Sequence, residues 1–273
     1  METKLNYKRT FLIGLAFLSI CSFWQMYDNI IPLILQNTYH LGETMTGAVM
    51  ALDNVLAIFL LPVFGALSDK VHTKLGRRMP FIVAGTILAV IFMMLLPMID
   101  NAEKARWNTG ESFSNQVIFL AVLFFTLVSM GLYRSPAVAL MPDVTPNHLR
   151  SRANAVINLM GAVGGVYALI MIKVLVGKGE TPDYLPLFAS IAAVMAIAVG
   201  ILVITIRENK LREEVEKAEA ANAGTIEEKA MAEGVEAAGE IEAVGDTGEV
   251  KSFDGKKQTG KTEGTKGMPK AVK

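Results

Sequence analysis

The stretch GALSDKVHTKLGRRMPF, residues 65–81, separates two apolar runs that are each long enough to cross a bilayer. Gly65, Ser68 and Asp69 are predicted to close the first helix. Pro80 lies just inside the start of the next one, where a missing backbone N–H costs nothing. The stretch is therefore predicted to be a cytoplasmic turn between two transmembrane helices, because such loops are rich in basic residues. Its basic side chains are Lys70, Lys74, Arg77 and Arg78.

The composition is that of a polytopic membrane protein. Hydrophobic residues make up 52% of the 273 residues and charged residues only 19%, and the hydrophobic ones form long blocks. The formal net charge of zero indicates nothing about a partner, since the charges cluster in loops and in the C-terminal segment. The single cysteine, Cys21, lies within the first apolar block, which excludes an intrachain disulfide and a cysteine metal cluster.

Six transmembrane helices are predicted, so the expected fold class is an all-α, six-helix membrane bundle. At a rise of about 1.5 Å per residue, each helix covers a hydrocarbon core roughly 30 Å thick. Residues 1–206 are predicted to form this domain, and residues 207–273 a charged, mostly disordered cytoplasmic tail or linker. The acidic first part of the tail could continue the last helix to about Ala220. The predicted helices span residues 11–36, 44–67, 79–99, 116–141, 151–176 and 185–206.

The distribution of lysine and arginine predicts the orientation. One side of the bundle collects most of these residues, whereas the other has only Lys104, Arg106 and Lys178. By the positive-inside rule, the basic side and both termini are cytoplasmic in a multi-pass protein of the cell membrane. The first apolar block follows basic residues as a signal peptide would, but it has no small-residue cleavage site and is predicted to remain as a helix.

The basic turn carries a pattern of small, acidic, basic and proline residues. The pattern consists of Pro62, Gly65, Ser68-Asp69, Gly76-Arg77-Arg78 and Pro80-Phe81-Ile82. It resembles the loop between helices 2 and 3 of the major facilitator superfamily, especially of its sucrose-carrier-like and glycoside-pentoside-hexuronide:cation symporter branch. The resemblance implies a charged latch that steadies the outward-facing state. The candidate latch residues are Gly65, Asp69, Arg77, Arg78, Asp143 and Arg150.

The fourth helix carries a second pattern. It reads Tyr133-Arg134-Ser135-Pro136, then Ala139-Leu140-Met141-Pro142-Asp143, followed by Pro146, Arg150 and Ala153-Asn154. This is similar to helix 4 of the sucrose-carrier branch, whose substrate-linked arginine stands where this chain has Val138. Arg134 lies one turn earlier on the same face, so the resemblance implies that it could still bind sugar hydroxyls or pair with a carboxylate. Asp143 and Arg150 could form a gate salt bridge or a solvated helix end.

Two aspartates are predicted at bilayer depth, where a charged side chain costs about 2.5 to 3.5 kcal/mol. Asp28 and Asp53 lie almost equally far from the turn near His40, so they should share a depth on antiparallel helices. Two close carboxylates could take up and release a proton, which suggests a proton-coupling site. A simple helix contact is an equally good interpretation of either aspartate. The melibiose-type sodium site has two aspartates one turn apart on helix 2, and Asp53 has no such second aspartate. The poor resemblance to that site therefore implies H⁺ rather than Na⁺.

Further polar and aromatic side chains surround these positions. Asn154 and Asn158 share a helix face and could bind a hydroxyl-rich ligand, with Tyr133 or Trp24 covering a sugar face. Hydrogen bonding between helices, worth roughly 0.6 kcal/mol per bond, is the alternative for the asparagines. The polar neighbours of the aspartates are Gln25, Asn29 and Asn54. The glycines predicted to let the fifth helix pack closely are Gly161, Gly164 and Gly165.

These features favour a secondary active transporter, or the N-terminal half of one, that moves a sugar or glycoside by alternating access coupled to H⁺. Six helices are half of the superfamily's usual twelve, so a second six-helix half or a homodimer is the expected partner. A non-transporting half-carrier, acting as a sensor or assembly partner, is the alternative. An intramembrane aspartyl enzyme built on Asp28 and Asp53 is much less favoured. No phosphate-binding loop, zinc spacing or nucleic-acid surface is recognisable, so no cofactor, metal, nucleic acid or enzymatic activity is expected.

Overall fold

A bundle of long helices is the architecture of the protein, and the computed structural model describes it for residues 5–71, 73–107, 116–177, 179 and 182–220. In these ranges, six helices are long and apolar enough to cross a membrane. The prediction of an all-α, six-helix bundle is therefore confirmed. The helices are α1 Tyr7–Asn37, α2 Glu43–Lys70, α3 Met79–Trp107, α4 Gln116–Asp143, α5 Arg150–Leu175 and α6 Leu185–Thr205.

The first helix is the centre of the bundle. α1 packs against α5 and α6, whereas α4 packs against α3 and α2. A continuous face of α1 is buried, from Ile13 through Phe23 to Ile34. α2 is the opposite case, because only Thr46 and Ser68 are buried along its length. One side of the bundle, formed largely by α2, therefore has little cover from the described part of the chain.

Glycines allow α1 and α5 to approach each other closely. A Cβ atom on Gly164 would collide with the carbonyl oxygen of Leu18, and one on Gly161 would lie 2.9 Å from Cys21 Sγ. Ser22 adds a bond across the same contact, since its hydroxyl donates to the Gly164 carbonyl at 2.8 Å. The predicted close packing is confirmed at Gly161 and Gly164. Gly165 is different, because a Cβ there would make only ordinary contact.

A buried cluster of charged residues links α3 to two loops at one end of the bundle. α3 continues beyond its predicted end to Trp107, because the charged residues of its last turns have partners within the protein. Asp100 is fully buried and accepts hydrogen bonds from Thr38 Oγ1 and Lys104 Nζ, both at 2.6 Å. Lys104 also donates to the carbonyl oxygen of Pro182 at 2.7 Å. The cluster thus ties α3 to the α1–α2 turn and to the segment before α6.

The other end of the bundle carries the basic turn, and we call it the basic end. A short helix, α7, covers residues 208–220 there, after a break at residues 206 and 207. It belongs to the same compact unit as the membrane helices, and Glu208 is 1% exposed. The structure thus places residues 208–220 with the membrane helices, beyond the predicted boundary at residue 206, because Glu208 finds its partners in the basic turn. Helix was expected to continue to about Ala220, and it does so after the break. Residues 221–273, including the predicted basic tail, lie outside the described residues.

Candidate functional site

A small cavity between α1, α2 and α4 brings together three of the predicted site residues. Trp24 from α1, Asp53 from α2 and Arg134 from α4 line it. The guanidinium carbon of Arg134 lies 5.5 Å from the centroid of the Trp24 ring, a favourable position for a cation–π contact. The rest of the wall is apolar and consists of Leu56, Ala57, Leu60, Leu61, Leu127 and Gly131. Apolar walls with a few convergent polar groups are typical of small-molecule sites. With a volume of about 20 Å³, the cavity has room for about one water molecule in this conformation, so a sugar would require the helices to move apart.

The two aspartates are near each other without being bonded to one another. Asp53 lines the cavity from α2, and Asp28 lies four residues after Trp24 on α1, one turn along the same face of that helix. Asp53 accepts a hydrogen bond from the Asn54 side-chain amide at 3.0 Å. Asp28 is exposed on α1, and it makes no hydrogen bond to a residue that the structure describes. The site therefore has one carboxylate in the cavity and a second beside it.

A separate groove on the other side of α1 holds two of the predicted amides. Gln25 from α1 and Asn158 from α5 line a groove of about 340 Å³. Asn154 is exposed on α5 and does not line it. The expected single chamber is therefore two cavities in this conformation, because α1 separates Asn158 from Arg134. The other lining residues are Phe17, Cys21, Gly161, Ala162, Gly165, Val166 and Leu169.

Tyr133 does not lie in either cavity, so its predicted role against a sugar is corrected. The side chain is completely buried. Its hydroxyl donates to the carbonyl oxygen of Ala16 at 3.1 Å and lies 2.6 Å from Ser19 Oγ. Neighbouring positions on a helix point about 100° apart, so Arg134 faces the cavity while Tyr133 packs against α1. Tyr133 is a core residue that fixes α4 on α1.

Four of the predicted latch residues form one charge network at the basic end, which we call the latch. Arg78 pairs with Asp69 at 2.9 Å and with Asp143, and Arg77 pairs with Asp143 at 2.9 Å. The network connects α2, the basic turn and α4. Burial disfavours the charged guanidinium of Arg77, but the hydrogen bond to Asp143 and the nearby carboxylates outweigh it and raise the pKa of Arg77. Arg77 therefore stays charged.

Of the two remaining latch candidates, Gly65 contacts the network and Arg150 does not pair with Asp143. Gly65 lies beside the network, and its carbonyl accepts a hydrogen bond from Ser68, which in turn accepts one from Arg78 at 3.0 Å. The Nε of Arg150 donates instead to the carbonyl oxygen of Thr145 at 3.2 Å. Of the two interpretations of Asp143 and Arg150, this conformation does not contain the gate pair, because Asp143 is occupied by the arginines of the basic turn.

Glu208 is a residue of this region that the sequence did not reveal. Its carboxylate accepts backbone N–H bonds from Arg77 at 3.0 Å and from Arg78 and Met79 at 3.1 Å. Free N–H groups at a helix start favour a carboxylate, so Glu208 caps α3 from another part of the chain. Gly76 has a φ of 126°, and a side chain there would collide with Glu208. In the sequence, Glu208 is only the first of several acidic residues.

Six membrane-length helices around a small cavity, with a charged network at one end, are the features of a multi-pass membrane protein. The family model of the Major Facilitator Superfamily matches residues 7–246. The chain belongs to that superfamily, as the motifs of the basic turn predicted.

The chain is also similar to plant sucrose transport proteins. It is 35% identical over 116 residues to the sucrose transport protein SUC4 of Arabidopsis thaliana, a match that covers 40% of this chain and 22% of the relative. It is 26% identical over 137 residues to the sucrose transport protein SUT3 of Oryza sativa subsp. japonica, covering 47% of this chain and 27% of the relative. The matched segments therefore span about a quarter of the relatives.

Proposed function

We propose that this protein acts in secondary active transport of a sugar or glycoside, coupled to H⁺, by alternating access. The observation that carries the proposal is the cavity in which Trp24, Asp53 and Arg134 meet. The names of the similar plant proteins support a sugar as the solute. The function can belong to the chain by itself or to a larger carrier in which it forms the N-terminal half.

Each residue of the cavity has a chemical role in this proposal. The planar guanidinium of Arg134 presents several N–H donors, which suits neighbouring sugar hydroxyls. Trp24 offers an apolar ring, although one of its faces already holds Arg134. Asp53 takes up the proton, and the charge of Asp28 nearby makes two simultaneous carboxylates unfavourable. Gln25 and Asn158 add amide contacts from the second groove once the helices move.

The latch has a conformational role in the proposal. We expect the basic end to be cytoplasmic in the cell membrane, as the lysine and arginine distribution indicates. The ion pairs of Arg77 and Arg78 with Asp69 and Asp143 hold α2 against α4 at that end. Arg78 and Asp143 are largely buried, so separating them would leave an unpaired charge in a poorly hydrated site, and this cost opposes opening at the cytoplasmic side.

A partner is expected to cover the polar side of the bundle. Asp28, Asn54, Asn154 and Asn158 are exposed on the surface of helices at membrane depth, where contact with lipid is costly. We propose a second six-helix half or a second copy of this chain as the partner. Light scattering of the purified protein with detergent mass subtracted tests for a second copy. A monomer that binds sucrose without moving it would favour the non-transporting half-carrier instead.

Proton uptake by reconstituted vesicles tests the transport function. Addition of sucrose should drive proton entry in the natural chain, and Asp53→Asn should abolish it, because the amide cannot carry the proton. Glu213→Gln is the matched control, since it makes the same chemical change on the exposed face of α7, and it should leave uptake unchanged. Full uptake in the Asp53→Asn variant would exclude this residue from the coupling mechanism.

A further inference from the structure

Tyr27 lies on α1 beside the proposed transport cavity, and its hydroxyl is chemically unexplained. The side chain is only 1% exposed. The hydroxyl oxygen is buried and has no hydrogen-bond partner among the described residues, whereas buried hydroxyls are usually paired. Tyr133, the other fully buried tyrosine at membrane depth, has two such contacts. Packing explains why the ring of Tyr27 is buried, but it does not explain why the hydroxyl is buried without a hydrogen-bond partner.

The surroundings of Tyr27 point to the carboxylates. The ring is stacked on Phe23 with centroids 6.1 Å apart and meets the edge of Trp24 at 5.4 Å, so its position is well fixed. Trp24 also lines the cavity that contains Asp53. Asp28 is the next residue of α1 after Tyr27. The Tyr27 hydroxyl is therefore a buried hydrogen-bond donor with carboxylates nearby as its candidate acceptors.

Few other charged groups compete for this hydroxyl. On α4, Arg134 lies over the Trp24 ring. α6 contains no charged residue along Leu185–Thr205. On α5, Lys173 lies nine residues beyond Gly164, as Tyr27 lies nine beyond Leu18, so its exposed side chain is on a helix turn level with Tyr27. The charged residues of α5 are Arg150, Arg152 and Lys173. The charged groups of the neighbouring helices at this depth are thus Asp28, Asp53, Arg134 and Lys173.

We propose that Tyr27 is a positioning residue of the coupling site, whose hydroxyl donates a hydrogen bond to the ionised carboxylate of Asp53. The inference rests on the proposed proton coupling. In the conformation described here, Asp53 accepts from Asn54, and a rotation of the aspartate side chain exchanges that donor for Tyr27. A donor of this kind stabilises the charged carboxylate in a poorly hydrated site. Tyr27 thereby sets the pH at which Asp53 releases its proton.

An infrared titration of the purified chain in lipid nanodiscs tests this inference. The band of the protonated carboxyl group is followed against pH and assigned to Asp53 by its loss in Asp53→Asn. Tyr27→Phe keeps the ring and removes only the hydroxyl, so the midpoint of the band should rise by about one pH unit. Tyr133→Phe is the matched control. It should lower the unfolding temperature, because two hydroxyl contacts are lost, and leave the midpoint unchanged.

Each result decides the inference. An unchanged midpoint in Tyr27→Phe, an equal shift in Tyr133→Phe, or the absence of a titrating Asp53 band would overturn it. Because the Tyr27→Phe variant could misfold, the unaltered protein provides a second test. In it, the infrared C–O stretch of Tyr27 should change at the same pH as the Asp53 band. The titration requires no sugar transport, so failure of this inference and failure of sucrose-driven proton uptake are separate results.

Discussion

At Arg134, the guanidinium lies over the indole of Trp24 and has no ion-pair partner among the described residues. An arginine at membrane depth is costly, and the usual compensation is a carboxylate. Here the Trp24 ring supplies part of this compensation, because the negative face of the ring attracts the guanidinium. The hydrogen-bonding capacity of the guanidinium therefore remains available in the cavity. A residue with unused donors beside a carboxylate is suited to bind a hydroxyl-rich solute and release it again.

Replacement of Arg134 by lysine separates charge from geometry. Arg134→Lys keeps the positive charge but loses the planar set of donors, so we expect sucrose binding to weaken about tenfold, which is about 1.4 kcal/mol. Equilibrium binding of radiolabelled sucrose to the purified chain measures this effect. Arg152→Lys, at an exposed position of α5, is the control and should bind normally. An unchanged affinity in Arg134→Lys would show that the guanidinium does not bind the sugar.

Helix contacts in this bundle depend on small residues and on hydrogen bonds between backbone and side chain. The α1–α5 contact is the clearest case, since Gly164 touches the backbone of Leu18 and Ser22 donates to Gly164. Apolar side chains give little drive for helix association in lipid, so close backbone approach supplies much of the attraction. The same contact orients α1, which contributes Trp24 to one cavity and Gln25 to the other.

The α1–α5 contact leads to a prediction with a control one residue away. In Gly164→Ala, the added methyl group meets a backbone carbonyl that cannot rotate aside, so α1 and α5 must separate. We expect the free energy of unfolding to fall by about 2 kcal/mol, measured by thermal unfolding in detergent. Gly165→Ala adds the same methyl group where its nearest neighbour is 3.6 Å away, and it should be nearly neutral. Equal destabilisation of the two variants would contradict the packing argument.

The whole molecule is held together differently at its two ends. One end is closed by the buried cluster of Asp100 and Lys104. The basic end is joined by the latch and by α7, which connects three separate parts of the chain. Glu208 binds the turn before α3, Glu214 lies 3.7 Å from Arg9 of α1, and Glu219 accepts from the backbone N–H of Asn147. The segment after α6 is therefore a structural part of the basic end.

Removal of the Glu208 carboxylate should loosen the basic end. Glu208→Ala leaves the backbone N–H groups of residues 77–79 without their acceptor, so the turn should open and trypsin should cleave after Arg77 or Lys74 several-fold faster. The expected loss of stability is roughly 2 kcal/mol, as for other hydrogen bonds to a charged group. Limited proteolysis followed by mass spectrometry measures the rate. Glu214→Ala removes an exposed carboxylate from the same helix, and a similar acceleration there would contradict the capping role.

Much of the fold and part of the site were predictable from the sequence. The six helices and the charged turn follow from local signals, and the motifs around Asp69, Arg78 and Asp143 predicted a network that the structure contains. The structure buries Tyr133 in the core and pairs Asp143 with other arginines than Arg150, because the direction of a side chain depends on which neighbouring helix it meets. Glu208 was missed because its partners lie about 130 residues away along the chain. An acidic residue in an acidic segment gives no local sign of such a contact.

The sequence by itself determined that this chain crosses a membrane six times, because a run of apolar residues has a length that must match the hydrocarbon core. The sequence also determined which polar residues lie at membrane depth, since they are recognisable within otherwise apolar runs and each costs free energy to place in the hydrocarbon core. Only the tertiary structure decided which of them meet. Asp53 and Arg134 share one cavity and Asn158 lies in another, because the rotation of each helix about its axis is set by packing against the others.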